Sequence, residues 1–300
     1  MVLSITICTF NRVIYLQKCL NSILEQTKGN RNIEINVIDN NSTDKTREFI
    51  NTLQSTKPEI NYYIEKQQGI SYARNLSFAV CKGDFLAFVD DDAVINKNWL
   101  TSLLKELDKK NHNIVYGGPI YPKFEIEPDR WIDKNYFIRK FRNGDGFLNH
   151  IQSKEGFSGG NMCISKKLFL NSDQFNTEIG MNGGTLGLGE EPDFFYKLIK
   201  KKSDVKLYNI SNMSITHNEA SYKLDRDYLK ERIILNAYQF TKRTIFHENI
   251  LLTFFILFVK ILIQLIKVTI SSIIRFFIPK YKFRSLRSYW IIQGIIKAIF

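Results

Sequence analysis

"FLAFVDDDAV", residues 85–94, runs five strand-like residues into three aspartates and then returns to apolar side chains. Three adjacent carboxylates repel one another and do little for a fold, so their place behind a buried-type strand asks for a ligand. The bland alternative is a solvated acidic turn capping the next helix. The flanking sequence decides between the two. Upstream, "VLSITIC" (2–8), "IEINVID" (33–39) and "INYYIE" (60–65) are strand-like runs. Between them the apolar spacing turns helical, first at Ile14, Leu16, Cys19, Leu20, Ile23 and Leu24. "NSTDKTREFINTLQ" (41–54) is a second helix with Ser42 and Thr43 as candidate N-caps, and "SYARNLSFAVC" (71–81) a third. Downstream, "NKNWLTSLLKELDKK" (96–110) is helical and "NIVYGG" (113–118) is a strand.

Strand and helix therefore alternate from residue 2 to about 118. The alternation predicts an α/β fold built on a mixed, mostly parallel sheet with helices on both faces. Such sheets bind ligands at the carboxyl ends of their strands. The polar clusters stand there: Thr9-Phe10-Asn11-Arg12, Asp39-Asn40-Asn41-Ser42, Gln67-Gln68-Gly69 and Asp90-Asp91-Asp92. Four polar strand ends facing one crevice are harder to obtain by chance than one motif. Beyond residue 118 the periodicity weakens. Residues 121–155 read as loops with a short helix, and "EGFSGGNMCISKKLF" (155–169) as a Gly-Gly-Asn turn before a strand and a helix. "GTLGLGEEPDFFYKLIKK" (184–201) is a glycine-rich loop opening a helix whose apolar face is Phe194, Phe195, Leu198 and Ile199. Strand-like "VKLYNI" (205–210) and "MSITH" (213–217) end at His217.

At 300 residues and 44% apolar, the chain has room for one large domain and an appendage. Its net charge of +12 is unevenly placed. Residues 221–300 hold 14 Lys and Arg against 4 Asp and Glu, which leaves 28 against 26 for the first 220 residues. The basic character belongs to the tail, and without zinc-finger spacing or an aromatic RNA-binding motif it does not argue for nucleic acid. Cys8, Cys19, Cys81 and Cys163 are scattered with no CxxC pair, as expected of reduced cytosolic thiols. "MVLSITICTFNR" has no basic lead before its short apolar run, so no signal peptide is expected.

The ordered set "TICTFNR", "VIDNNSTD", "GISYARN", "FVDDD", "GGN" and "GEEPDF" resembles the family 2 glycosyltransferases, whose nucleotide-sugar-binding fold is the GT-A type. The resemblance covers roughly residues 2–220. It implies a catalytic domain over 1–220, with a donor-binding half at 1–118 and an acceptor half at 119–220. It further implies inverting transfer from a nucleotide-diphosphate sugar, a UDP-sugar, to a glycan or lipid-linked acceptor in surface polysaccharide synthesis.

The chemistry asks for the same parts. A divalent cation acts as a Lewis acid on a diphosphate leaving group, and Mg²⁺ or Mn²⁺ takes oxygen ligands. Asp90 and Asp92, two apart at a strand end, can supply them. The resemblance puts Asp92 on the metal, Asp90 on the ribose or the metal shell, and Asp91 within the same donor-side run but pointing elsewhere. His217 would complete the metal site or be an ordinary surface histidine. The resemblance gives Asp39 the imide N–H of uracil, while Ser42 and Asp44 beside it suit an Asx-turn or helix start. Thr9, Asn11 and Arg12 would approach the nucleotide, and Arg74 would offer a cation to base or diphosphate. An acceptor hydroxyl needs a carboxylate base. "GEEPDF" matches the family's Glu-Asp pair with Glu191 at the base position, one methylene longer than the usual Asp. Glu190 and Asp193 stay open as alternatives, and all three acids also favour a helix N-terminus. Gly156, Gly159, Gly160 and Asn161 would shape the loop near sugar and acceptor.

"FVDDDAV" also matches the Asp-x-Asp-x-Val of haloacid-dehalogenase-like phosphohydrolases, with Asp90 as nucleophile. That fold usually carries the motif on its first strand, whereas three strand–helix units precede it here. A non-catalytic sugar-nucleotide-binding relative is the third reading, opposed by intact Asp39, Asp90, Asp92 and Glu191.

The tail raises a separate matter. "NILLTFFILFVKILIQLIKVTISSIIRFFIPK" (249–280) is strongly apolar but interrupted by Lys260, Lys267 and Arg275. Lys260, Gln264, Lys267, Ser271 and Arg275 follow steps of three and four and form one polar stripe on an amphipathic helix. Such a helix suits the membrane interface, and Lys280, Lys282, Arg284 and Arg287 suit anionic lipid. The expectation is a peripheral or monotopic protein on the cytoplasmic face of the membrane, with residues 221–300 as the membrane-associating tail. A helix packed in a protein interface and a true span with snorkelling lysines are the alternatives.

Overall fold

A computed structural model describes residues 3–30, 32–149, 156–170 and 172–300. Strands β1 (Leu3–Thr9), β2 (Ile33–Asp39), β3 (Ile60–Ile64), β4 (Phe85–Val89), β5 (Ala93–Ile95), β6 (Ile114–Gly117), β7 (Ile120–Phe124), β8 (Gly146–Phe147), β9 (Asn161–Ser165), β10 (Lys206–Asn209) and β11 (Ile215–Glu219) fall into two sheets. The larger has the order β3-β2-β1-β4-β9-β6-β10-β8, and the smaller is β5-β11-β7. β1 runs parallel to β2 and β4, β2 to β3, and β6 to β10. β9 is antiparallel to both its neighbours, and β8 to β10. The sheet is mixed and mostly parallel, as the alternation of elements requires.

Helices α1 (Val13–Thr27), α2 (Thr46–Gln54), α3 (Ile70–Val80), α4 (Trp99–Leu107), α5 (Lys166–Leu170) and α6 (Glu190–Lys201) cover both faces. Strand side chains alternate between the faces. Phe85, Ala87 and Val89 of β4 join a core with Leu16, Cys19 and Leu20 of α1 and Trp99 and Leu103 of α4. Leu86 and Phe88 join the opposite core with Phe78 of α3, Phe169 of α5 and Phe194 and Phe195 of α6. Each such side chain taken from water contributes about 1.5–3 kcal/mol, which fixes the register of β4 and therefore the place of the aspartates that follow it.

Two readings of the sequence change. Ser42 and Thr43 do not cap α2, whose first residue is Thr46. The Ser42 hydroxyl accepts the Asn11 N–H instead, and Asp44 Oδ1 accepts the Thr46 N–H. The stretch 121–155, read as loops with a short helix, has a 3₁₀ turn at Lys134–Phe137 and adds two strands, β8 and most of β7. Residues 150–155, including Glu155, lie outside the described residues. β5 had no separate reading, because three residues are too few to show a period.

Two compact units divide the chain. One comprises Met1–Lys123, Ile138–Thr185 and Glu190–Asn218, and the other Phe124–Phe137, Leu186–Gly189 and Glu219–Phe300. The second contains α7 (Arg226–His247), α8 (Ile250–Ile274) and α9 (Lys280–Ile299). Asp225 caps α7 by accepting the Asp227 and Tyr228 N–H groups, and Asn249 caps α8 by accepting that of Leu252. α9 packs along both other helices, closely at Gly294, where a Cβ would come within 2.4 Å of the Ile234 carbonyl oxygen. Trp131, Tyr136, Phe137, Phe283 and Trp290 form this unit's aromatic core.

The polar stripe read on α8 is divided in the structure. Thr253, Gln264 and Ser271 are buried, Ser272 pairs with Ser285 of α9 at 2.9 Å, and the Lys260 ammonium lies 3.0 Å from the Phe240 ring centroid on α7. Lys267 and Arg275 remain exposed. The outer face is apolar: Leu251 is 80% exposed, Phe254 66%, Phe258 67% and Ile273 64%. Hydroxyls and an amide inside with phenyl rings outside is the inverse of a helix on a water-soluble protein.

Candidate active site

The carboxyl ends of β1 and β4 build the first cluster. β4 ends at Val89, so Asp90, Asp91 and Asp92 emerge beside Thr9, the last residue of β1. The turn is tight, with the Ala93 N–H donating to the Asp90 carbonyl. Asp91 points back into the protein. Thr9 Oγ1 donates to its Oδ2 at 2.8 Å and Arg12 Nη1 to its Oδ1 at 3.2 Å. Burial raises the Asp91 carboxyl to about 6 against the pull of Arg12. The same guanidinium nitrogen donates to Asp92 Oδ2 at 3.1 Å.

His217 arrives from the small sheet. β11 runs antiparallel to β5 with His217 opposite Ala93, and the Asn218 N–H donates to the Asp92 carbonyl. This register sets His217 Nε2 2.9 Å from Asp92 Oδ1 and 3.8 Å from Asp90 Oδ2. One ligand atom from each of Asp90, Asp92 and His217 lies within 4.8 Å of the other two. Two carboxylates and an imidazole on a rigid frame fit a divalent cation.

The second cluster is an acid pair at the start of α6. Glu190 and Glu191 occupy its first turn, where the helix dipole favours negative charge. Arg74 of α3 lies buried beneath both, with Nη1 3.1 Å from Glu190 Oε1 and Nη2 3.0 Å from Glu191 Oε1. The Gly159 N–H adds a 3.0 Å bond to Glu191 Oε1. Burial and the charge of Glu191 raise Glu190 to about 8. Burial also works on Glu191, but Arg74 and the Gly159 N–H more than offset it and hold that carboxyl below its ordinary value. Burial thus works against charge on Glu190, while Arg74 and the Gly159 N–H favour the charged form of Glu191. Asp193 turns away and pairs with Lys197 at 2.6 Å.

The Gly159-Gly160 turn joins the clusters. Antiparallel pairing of β9 with β4 sets Asn161 opposite Val89, so the residues just before Asn161 lie against Asp90. A Cβ on Gly160 would come within 2.0 Å of Asp90 Oδ2, and one on Gly159 within 2.2 Å of Arg74 Nη2 and 2.8 Å of Glu191 Oε1. Only glycine lets backbone pass this close to both carboxylates. Asn161 anchors the turn from below: it accepts from Trp99 Nε1 and donates to the Pro119 and Met213 carbonyls. Gly156 (φ 71°) sits against Phe195.

Two further positions come from β2 and the first loop. Asp39 is buried at the end of β2, accepting from the Ser42 N–H at 2.8 Å and from the Tyr62 hydroxyl at 2.5 Å. Burial and this carboxylate raise the Tyr62 hydroxyl. Asn11 has positive φ, and its side-chain oxygen accepts the Thr43 and Asp44 N–H groups, tying the first loop to the start of α2.

The family model for glycosyl transferase family 2 matches residues 4–170, more than half of the chain. The chain belongs to glycosyl transferase family 2. The haloacid-dehalogenase-like reading is set aside by this match. Among curated family relatives, a GalNAc(5)-diNAcBac-PP-undecaprenol beta-1,3-glucosyltransferase of Campylobacter jejuni is 25% identical over 80% of this chain and 76% of its own length. A glucosyl-dolichyl phosphate glucuronosyltransferase of Haloferax volcanii is 21% identical over 79% and 76%. Among solved structures, GalNAc-T7 with UDP, GalNAc and Mn²⁺ aligns at TM-score 0.58 and 14% identity, over 81% of this chain and 50% of that one. S. aureus TarS aligns at 0.55 and 19%, over 79% of this chain and 39% of that longer chain. These likenesses fix a GT-A-like fold. The motifs read in the sequence did not include Tyr62 or the destination of Arg74. Tyr62 reaches Asp39 from two positions back on the neighbouring strand, since the parallel register sets Val37 opposite Tyr62 and Asp39 opposite Ile64.

Proposed function

We propose that the chain transfers a sugar from a UDP-sugar, with inversion, to a lipid-linked glycan at the membrane surface. The observation that carries the reading is the Gly159-Gly160 turn, which sets a three-ligand cation cluster on one side and a divided acid pair on the other. Asp90, Asp92 and His217 would hold Mn²⁺ or Mg²⁺, and the imidazole favours Mn²⁺. When bound, the cation supplies a Lewis acid for the diphosphate leaving group. Thr9 keeps Asp91 turned inward. Arg12 brings a guanidinium to the edge of the site, where a diphosphate is its natural anion. Asp39, fixed by Ser42 and Tyr62, retains lone pairs for the imide N–H of uracil.

Glu191 is the base. It is ionised, fixed by Arg74 and the Gly159 N–H, and takes the proton as the acceptor oxygen bonds to the anomeric carbon and the bond to diphosphate breaks. Glu190, neutral beside it, keeps a second negative charge away. Arg74 acts as a positioning residue for the pair. Its side chain is 5% exposed, so contact with the donor would require it to leave both glutamates.

The lipid-linked acceptor rests on the outward apolar face of α8 and on the two relatives, whose names carry undecaprenyl diphosphate and dolichyl phosphate. α8 is long and apolar enough to cross a bilayer, yet its two lysines, Arg275 just past its end and its two partner helices suit a monotopic hairpin lying in the cytoplasmic leaflet. Surface polysaccharide synthesis is the setting that joins these features.

The test is nucleotide release by the full chain across a panel of nucleotide sugars, with and without EDTA. UDP release that needs Mn²⁺ or Mg²⁺, and is lost in a folded Asp92→Ala variant, is the expected result. Full transfer in EDTA removes the metal role. Preference for a non-uridine donor removes the UDP assignment, and a covalent phosphoenzyme at Asp90 overturns the whole reading.

A further inference from the structure

Where α8 ends and α9 begins, a cleft of about 620 Å³ opens in the second unit, lined by Asp129, Arg130, Trp131, Arg275, Phe276 and Lys282 among others. Three cations against one carboxylate leave two positive charges on its walls. The carboxylate already has a partner, since Trp131 Nε1 donates to Asp129 Oδ2 at 3.1 Å. Arg275 lies 5.4 Å from the Phe276 ring centroid and Lys282 6.0 Å from that of Trp131. Aromatic surfaces therefore carry the cations at the mouth of the cleft. No acidic residue follows Glu248 in the chain, so the ends of α8 and α9 add no competing carboxylate.

Phe276 and Pro279 give the cleft an apolar part. Phe276 is 78% exposed, and its chain neighbours Phe277 and Ile273 are 84% and 64% exposed, as is the outward face of α8 before them. A ligand fitting both surfaces carries phosphate at one end and hydrocarbon at the other. A phosphodiester headgroup brings one negative charge, whereas a diphosphate linked at both ends brings two, which matches the walls. Guanidinium groups also hold phosphate oxygens in pairs. We infer that this cleft seats the diphosphate of a polyprenyl-diphosphate-linked glycan, holding the acceptor by its lipid anchor. The inference rests on the lipid-linked acceptor proposed above and adds the group that is gripped and the residues that grip it.

The test measures binding of the full chain to phosphatidylcholine vesicles that are plain, doped with phosphatidylglycerol, or doped with undecaprenyl diphosphate at matched negative charge. The wild-type chain binds the diphosphate vesicles about tenfold or more tightly than the phosphatidylglycerol ones. The variant Arg130→Gln/Arg275→Gln/Lys282→Gln loses that preference, a change of about 1.4 kcal/mol for a tenfold difference. It keeps its circular dichroism and its partition onto plain vesicles. Equal binding to both anionic vesicles, or a preference surviving in the variant, overturns the inference. A wild-type chain that ignores every vesicle removes the membrane reading itself and the inference with it. Vesicle binding without preference removes the inference alone.

Discussion

Glu190 and Glu191 share one arginine and end with opposite characters. Glu191 has Arg74 and the Gly159 N–H on one oxygen, while Glu190 is buried against the negative charge of its neighbour. Glu191→Gln keeps the size and removes the base, so transfer falls on the order of 10²-fold or more with donor binding near normal. Glu190→Gln imitates the neutral acid already present, and transfer stays within about tenfold. The reverse ranking in single-turnover assays would assign the base to Glu190. The same division sets a pH dependence. A carboxyl raised from 4.5 to about 8 by folding takes up a proton as the chain folds. Its contribution is complete below pH 4.5 and is lost as pH rises through 8. Thermal melts of Glu190→Gln should therefore lose less stability between pH 6 and about 8.5 than the wild type. Arg12 offers a second residue-scale prediction. Its guanidinium lies on Asp91 and Asp92, where it repels an arriving cation in the absence of donor. Arg12→Ala should bind Mn²⁺ on the order of tenfold more tightly in a donor-free EPR titration and bind the donor more weakly. Unchanged Mn²⁺ affinity would show that Arg12 does not compete.

At the scale of elements, pairing does most of the positioning. β9 brings Gly160 to Asp90, and β11 brings His217 to Asp92. In Gly160→Ala the new methyl meets Asp90 Oδ2 in a turn anchored by Asn161 through Trp99, Pro119 and Met213. The carboxylate, not the turn, gives way, so Mn²⁺ affinity should fall at least about tenfold with the fold retained. Calorimetric titration beside a thermal melt separates the two, and an unchanged affinity would count against the cluster as the cation site. Here the sequence was partly legible. Long periodic helices and β-branched runs announced β1 to β4 and α1 to α4, because burial writes a period into them. β5 spans three residues and β8 two, too short for any period, and their places depend on partners distant in the chain. Asp90, Asp92, His217, Glu190 and Glu191 were readable as residue types at strand and helix ends. Arg74 was readable as a cation but not as the partner of the glutamates, because that contact joins positions 117 residues apart.

At the scale of the whole molecule, the first unit has the makings of a transferase and the second those of a membrane-bound part. Periodicity found the polar stripe of α8 but not its direction. A stripe of Lys, Gln and Ser reads alike whether it meets water or neighbouring helices. Only packing against α7 and α9 shows that Thr253, Gln264 and Ser271 point inward. What then remains outside, Lys267 and Arg275 apart, is mostly hydrocarbon, with Phe254, Phe255 and Phe258 each about two-thirds exposed. Contiguous apolar surface of this kind on a soluble protein marks an interaction site. The flanking Arg243, Lys267, Arg275 and Lys280 point to anionic lipid over a second protein chain. Phe254→Asp/Phe258→Asp places two charges on that outer face without touching the helix contacts inside. The double variant should keep its circular dichroism and its donor-nucleotide affinity yet lose flotation with anionic liposomes by about tenfold or more. Transfer to a water-soluble glycan should be unchanged, while transfer to a lipid-linked acceptor in vesicles falls with the flotation. If the wild type instead runs as a dimer in sedimentation equilibrium and the double variant as a monomer, with flotation equal in both, the face is a protein interface and the membrane reading fails.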